Sequence, residues 1–380
     1  MTKAAIIGAG FMGGAHNEAL RRIGVNVAGV LGIDQEETAS FSRKVGAKGY
    51  EDLSALLADD EVNVVHICTP NNLHFPMAKA ALEAGKHVFC EKPLAMTSHE
   101  AEELVKLAER HHLAGAVNYS IRFYPMNQEA HARIQKGLIG TPRIMQAAYC
   151  QDWLFLPTDW NWRLVSKEAG QLRVVGDIGT HVLDMLMWLT GLDVVEVMAD
   201  LQTFLPVRKK PRKAVETFAS KLSTAADTED VRIDTEDFAS LQVRFSNGAR
   251  GLICLSQVSA GRKNNFWWEI SGSTGSLAWR QEEPNELWLG FREKPNEIML
   301  KDPALMEADV RRYAAYPGGH AEGYPDTFAR HCSDFYEYIR KGAFDQKPGF
   351  PTFADGHHEL VLCEAIQQSA RERRWVEVSY

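Results

Sequence analysis

The chain has 380 residues, with 42 Lys+Arg against 50 Asp+Glu and a formal net charge of -8. That balance, with 45% hydrophobic and 24% charged residues, excludes a disordered chain, and a pI near 5.9 argues against the clustered positive field that nucleic acid binding needs. No run of 18 apolar residues exists to span a membrane, and the length suits two domains.

The first strand, Ala4–Ile7, begins so close to the N-terminus that no signal peptide fits before it, which points to a cytoplasmic chain. Helix Phe11–Ile23, strand Val27–Leu31 and helix Gln35–Val45 follow. Strand Val62–Cys68, helix His74–Ala84, strand His87–Cys90 and helix Ser98–His111 complete the series. Strands that are apolar throughout, separated by amphipathic helices, indicate a parallel sheet buried on both faces. Right-handed crossovers make this a doubly wound α/β domain over residues 1–122.

From about residue 125 the pattern changes. Helices are expected at Asn127–Lys136 and Thr180–Leu189, then strands at Phe238–Phe245, Gly251–Val258, Phe266–Ser271, Ser276–Arg280 and Glu286–Phe291. Ser246-Asn247-Gly248 joins the first two of these strands as a tight hairpin. The series reads as an α+β domain over 123–380. Its sheet has one face on helices, and the other face, carrying Leu241, Val243, Leu252 and Cys254 in alternation, calls for a partner. Residues 206–237 read as a long irregular excursion, and its basic run Arg208–Lys213 as a solvated loop. Helix Ala354–Arg371 is expected to pack back towards the N-terminal domain, and Trp375–Val378 to form a closing strand. The six cysteines lie far apart without C-x-x-C or His spacing, so they read as buried reduced thiols, with no metal site.

Four segments carry chemistry. Gly8-Ala9-Gly10-Phe11-Met12-Gly13 follows a strand and opens a helix. In that setting the glycines permit a tight turn, backbone approach to a pyrophosphate and close helix–strand packing. An acid reading the ribose belongs at the end of the second strand, where Gly32 stands and Asp34 follows. No Arg comes directly after to hold a 2′-phosphate, so NAD is favoured, with NADP the alternative. Thr69-Pro70-Asn71, with His74 opening the next helix, lies at a strand's carboxyl end. Glu91-Lys92-Pro93 places an ammonium at another, suited to stabilising a developing alkoxide. In Gly176-Asp177-Ile178-Gly179-Thr180-His181, helical spacing across Asp177 and His181 would let the carboxylate orient an imidazole that takes a proton.

Together these segments resemble the Gfo/Idh/MocA oxidoreductase family, over essentially the whole chain. The resemblance implies an N-terminal Rossmann doubly wound parallel sheet and a C-terminal α+β domain with a large, mostly antiparallel open sheet. It implies a dehydrogenase or reductase acting on a secondary alcohol or ketone of a sugar, cyclitol or sugar derivative, with Lys92, Asp177 and His181 as the catalytic group. Gly8, Gly10, Phe11, Met12, Gly13, Asp34, Thr69, Asn71, His74, Glu91, Lys92 and Asn118 would bind the cofactor. Tyr119, Arg122, Trp162, Arg163, His181, His320 and Tyr324 are candidates for the sugar, with Glu322 and Asp326 beside them. Relatives pair such sheets, so a homodimer or homotetramer is expected. Two departures stand out: Gly32 replaces the ribose-binding acid of many relatives, and Ala169–Gly176 lacks their Gly-Gly run. Redox-assisted glycoside cleavage and a non-catalytic dinucleotide sensor are the alternative readings.

Overall fold

The computed structural model describes residues 2–212, 227–342, 344 and 346–380. The chain forms two compact units, Met1–Ser120 with Pro325–Leu360, and Ile121–Tyr324 with Val361–Tyr380. Among the described residues no helix is long and apolar enough to cross a membrane.

The first unit holds a six-stranded parallel sheet in the order Lys48–Gly49, Asn26–Leu31, Lys3–Ile7, Val64–Ile67, His87–Cys90 and Gly115–Val117. Strand order reverses beside Lys3–Ile7, which is where a doubly wound sheet opens its binding crevice. Ala4, Ala5, Ile6, Val64, Val65 and Val88 are all fully buried, as apolar strands covered on both faces must be. Helices Phe11–Arg22, Gln35–Val45, Leu53–Leu57, His74–Glu83 and Ser98–Arg110 connect the strands. Edge strand Lys48–Gly49 and helix Leu53–Leu57, neither foreseen, are too short to show a period.

The expected second domain, 123–380, is not continuous: Pro325–Leu360 packs with the first unit. Helix Tyr324–Lys341 lays Phe335 edge-on to Phe89, with ring centroids 5.3 Å apart. Val117 N–H donates to Pro351 O at 3.0 Å, and a Cβ on Gly115 would come within 2.7 Å of the Phe353 ring. An 18-residue amphipathic helix must bury its apolar stripe, and here the stripe covers the parallel sheet. The last helix, Phe353–Glu372, begins in this unit and ends in the other.

The second unit is built on a nine-stranded sheet. Its order is Glu297–Leu300, Glu286–Gly290, Ser276–Arg280, Asn265–Gly272, Pro142–Cys150, Arg250–Ser256, Phe238–Phe245, Val194–Gln202 and Val376–Glu377. Only Pro142–Cys150 and Arg250–Ser256 pair in parallel; the other neighbours are antiparallel. Helices Pro125–Gln135 and Thr180–Thr190 contribute Met126, Ala130, Val182 and Leu186 to its core.

The register corrects the expected open face. Leu241 pairs with Ile253 and Val243 with Gly251, and both Leu241 and Val243 are buried in the core. Leu252 and Cys254 sit opposite Gln242 and Ser240, one residue out of phase, and are exposed. Successive strand residues face opposite sides, so the four expected residues divide two and two. Cys254 is therefore not one of the buried thiols; Cys90, Cys332 and Cys363 are.

The excursion is also more ordered than expected. Val207–Pro211 and Thr228–Arg232 form an antiparallel ribbon, while 213–226 lie outside the described residues. Lys209 pairs with exposed Asp230, but Arg208 does not belong to a solvated loop. It is fully buried, bonded to the carbonyls of Leu154 and Leu156 and to Asp237, which Arg173 also grips. Burial alone would raise the Asp237 carboxyl. The Arg173 charge and hydrogen bond, then the Leu205 amide and Arg208, outweigh it and hold the group low. Replacing Asp237 by Asn should therefore leave two guanidinium groups uncompensated. It should cost about 3–5 kcal/mol in urea unfolding, whereas Asp230→Asn should leave the midpoint almost unchanged.

Candidate active site

The fingerprint turn has the backbone its sequence demands. Gly8 has φ +98°, and a Cβ there would lie 2.6 Å from Cys68 O. A Cβ on Gly13 would lie 1.9 Å from Gly8 O, so helix and strand approach as only glycine allows. Gly10 faces open space, with no atom within 4 Å of a Cβ built on it. Open space at Gly10, where the helix starts, fits close approach of a dinucleotide pyrophosphate. Phe11 is half exposed and Met12 partly buried beside it.

At the end of the second strand, Asp34 is the N-cap of helix Gln35–Val45 and accepts Glu37 N–H at 2.8 Å. Glu37 reaches back to Ile33 N–H at 2.7 Å, one residue before the cap, and so ties down the chain that enters the helix. Gly32 is closed to any side chain, because a Cβ would meet Glu37 Oε2 at 2.7 Å and Thr38 N at 2.9 Å. The missing acid is thus a steric consequence of how tightly this helix starts.

Three more residues surround the next two strand ends. His74 is fully buried with Nδ1 2.7 Å from Pro93 O and Nε2 2.9 Å from Thr69 O. Both neighbours are acceptors and a neutral imidazole donates from one nitrogen, so a doubly protonated ring satisfies both. Either way it pins the Thr69 turn to the Lys92–Pro93 turn. Asn71, in the 3-10 turn Asn71–Leu73, is buried beside it. Lys92 is half buried, whereas Glu91 is buried with its carboxylate turned into the protein. Glu91 Oε1 accepts from Asn118 Nδ2 at 2.6 Å and lies 2.9 Å from His16 Nε2, and Oε2 accepts Lys92 N–H at 3.3 Å. Burial pushes the Glu91 carboxyl up, but His16, Asn118 and Lys92 together pull it below the usual range. Tyr119 is fully buried in the hydrophobic core of this unit.

In the second unit Asp177 sits in a five-residue π-helical turn, Val175–Gly179, and His181 in the first turn of the α-helix that follows. The expected uninterrupted helical spacing is therefore replaced by a wider turn. Asp177 Oδ2 accepts from Gln257 Nε2 at 2.7 Å, and Oδ1 lies 3.2 Å from Arg163 Nε. The turn is fixed from below by Glu236, whose carboxylate accepts the N–H groups of Arg173 and Val175, each at 2.9 Å. Burial raises the Glu236 carboxyl and those two amides only partly offset it.

Of the sugar candidates, Arg163 stacks on Trp162 at 4.4 Å and directs its guanidinium to Asp177. Arg122 is buried in a two-point ion pair with Asp184. His320 is exposed, while Glu322 is buried against Lys301 Nζ at 2.8 Å and accepts Ala315 N–H, so it holds its own loop. Tyr324 begins its helix half buried, and Asp326 pairs with Arg22. The structure thus ties Arg163 to Asp177 and gives Arg122, Glu322 and Asp326 protein partners. Sequence reasoning missed Gln257, Glu236 and His16. Single polar residues at a strand end, a loop and a helix interior carry no motif, and the one available signal was His16 three residues beyond Gly13.

Residues 2–119 match the family model "Oxidoreductase family, NAD-binding Rossmann fold", and residues 127–278 match the "GFO/IDH/MocA C-terminal domain". A levoglucosan dehydrogenase of Pseudarthrobacter phenanthrenivorans is 31% identical over 98% of this chain and 97% of its own. A levoglucosan dehydrogenase structure in complex with NADH and levoglucosan superposes with TM-score 0.88 at 29% identity, covering 100% of this chain and 99% of that one. An inositol dehydrogenase homolog from Azotobacter vinelandii, complexed with NADH and myo-inositol, gives TM-score 0.86 at 25% identity over 99% and 97%.

The glycine geometry yields a paired test. Gly13→Ala drives a methyl group into the Gly8 carbonyl and should abolish the fluorescence titration with NADH. Gly14→Ala, at a position with nothing within 4 Å, should titrate as the parent does.

Proposed function

Because the chain belongs to the Gfo/Idh/MocA family of NAD-dependent oxidoreductases, we propose that it oxidises a secondary hydroxyl of a sugar or cyclitol, with levoglucosan the first substrate to test. The match to levoglucosan dehydrogenase along almost the full length of both chains carries this reading. Bound NAD supplies the hydride acceptor, and in the reductive direction NADH supplies the donor.

The protein's own groups handle the proton and the oxygen. His181 takes the hydroxyl proton as the C–H bond breaks and the C=O bond forms, and returns it in the reverse reaction. Asp177, anchored by Gln257 and Arg163, orients the imidazole and favours its protonated form. The Lys92 ammonium donates a hydrogen bond to the oxygen as negative charge builds there. Arg163 and Trp162, already stacked, offer guanidinium N–H donors to sugar hydroxyls and an aromatic face to the C–H groups of the ring.

Lys92→Ala and His181→Asn should each lower kcat by about 10²–10⁴-fold while NADH binding persists. Full turnover in both variants would overturn the assignment. A screen of sugars and cyclitols at 340 nm with NAD and with NADP identifies the substrate and the preferred cofactor.

We also propose that the open sheet face meets a second copy of this chain. Ile144, Leu252 and Ile298 are each about half exposed or more on it. The register joins Ile298, Trp288, Ala278, Glu269, Gln146, Leu252 and Gln242 in one row across seven strands. Exposed apolar side chains spread across a face this wide, with Glu269, Gln146 and Gln242 between them, suit an isologous interface. Light scattering should give a multiple of the chain mass, and Leu252→Glu should shift it towards the single chain. A parent protein at single-chain mass would remove the proposal.

A further inference from the structure

Beneath the Lys92 turn runs a chain of buried polar side chains that neither the glycine fingerprint nor Glu-Lys-Pro requires. His16, fully buried in the second turn of helix Phe11–Arg22, has Nε2 2.9 Å from Glu91 Oε1 and Nδ1 2.8 Å from His66 Nδ1. His66 Nε2 lies 2.9 Å from Tyr336 Oη. On the far side of the carboxylate, Asn118 donates to Oε1 and lies 3.2 Å, through its Oδ1, from His331 Nδ1.

Hydrogen-bond polarity decides the protons. An ionised carboxylate only accepts, so His16 Nε2 carries a hydrogen. Burial, then the charges of His16 and His331, hold His66 well below the usual imidazole range and keep it neutral. One of its nitrogens then donates and the other accepts. Tyr336 can donate to His66 Nε2 while His66 Nδ1 donates to His16, or every bond along that branch can reverse with His16 doubly protonated. Both arrangements leave the same donor, His16 Nε2–H, on Glu91. A histidine that merely filled space would need no such fixed donor.

We propose that His16 is a positioning residue for Lys92, holding Glu91 ionised and oriented so that its other oxygen grips the Lys92 amide. The helix that opens the dinucleotide turn is thereby joined, through one buried carboxylate, to the turn that carries the ammonium. This rests on the reading of Lys92 as the group that binds the reacting oxygen.

His16→Gln, His16→Asn and Glu91→Gln test it, with Lys92→Ala alongside. A Gln amide reaches the place of the imidazole Nε2, whereas the shorter Asn amide reaches only that of Nδ1. With levoglucosan as substrate, His16→Asn and Glu91→Gln should lose roughly 10²-fold in kcat, the scale of a misplaced catalytic group. KM and the NADH dissociation constant should stay within about threefold, since the loss falls on the transition state. His16→Gln should recover most of the parent rate. Hydrogen exchange of the peptide spanning Glu91–Leu94 reads the same effect without turnover. It should speed up in His16→Asn and Glu91→Gln and stay at the parent rate in His16→Gln. His16→Gln behaving as His16→Asn, with both melting as the parent does, would overturn the proposal. So would Glu91→Gln with parent kcat and exchange, which decides the matter if His16→Asn does not fold. Lys92→Ala at full rate would instead bring down the functional reading itself. An inactive Lys92→Ala beside fully active His16 and Glu91 variants would remove only the role of His16.

Discussion

A carboxylate taken out of water is costly unless its oxygens are fully engaged, and this protein turns that cost into a means of holding backbone. Glu91 binds the Lys92 amide, Glu236 binds the amides of Arg173 and Val175, and Asp237 binds those of Phe204 and Leu205. Glu322 does the same for Ala315. Turns at the ends of strands and helices have no ladder of their own to fix them. In each case a buried acid takes the place of that ladder, and for Glu91, Asp237 and Glu322 the remaining lone pairs are met by an imidazole, a cation or an amide side chain. Removing the acid, or the group that keeps it ionised, frees the turn rather than the core.

The groups assigned to chemistry sit on just such turns. Lys92 lies above Glu91, and Asp177 lies in a π-helical turn whose start is tied to Glu236. A π turn crowds an extra residue into the helix and re-aims the side chains around it, so Asp177 faces Gln257 and Arg163. Placing the proposed reactive side chains on irregular backbone and then immobilising that backbone from beneath gives them orientation without a repeating scaffold. Orientation of this kind is a large part of what a dehydrogenase site provides.

Much of this was legible beforehand. The strands Ala4–Ile7 and His87–Cys90 and the helix Gln35–Val45 stand where apolar runs and amphipathic spacing put them. Gly8 and Gly13 of the fingerprint meet the close approach their spacing implied, and Gly10 stands open. Legibility failed where a residue's meaning depends on a distant neighbour. Arg208 looked like part of a solvated run because its partners, Asp237 and the Leu154 and Leu156 carbonyls, are far along the chain. Leu241 and Leu252 looked alike because hydrophobicity does not reveal which of two strands is out of phase.

The sequence by itself determined most of the strand and helix alternation over residues 1–111, the hairpin-linked strands of 238–291 and the glycine-rich turn, since these rest on local periodicity and on backbone that glycine tolerates best. Tertiary structure alone decided that helix Tyr324–Lys341 covers the parallel sheet, that Gly32 is sterically closed and that His16, His66 and Tyr336 stand in line behind Glu91. Those outcomes depend on which surfaces and which polar atoms meet once the chain has folded, from the start of the helix next to Gly32 to the 270 residues that separate His66 from Tyr336. Burial then makes each unmatched polar atom expensive, and that cost, invisible in any local window, selects the partners.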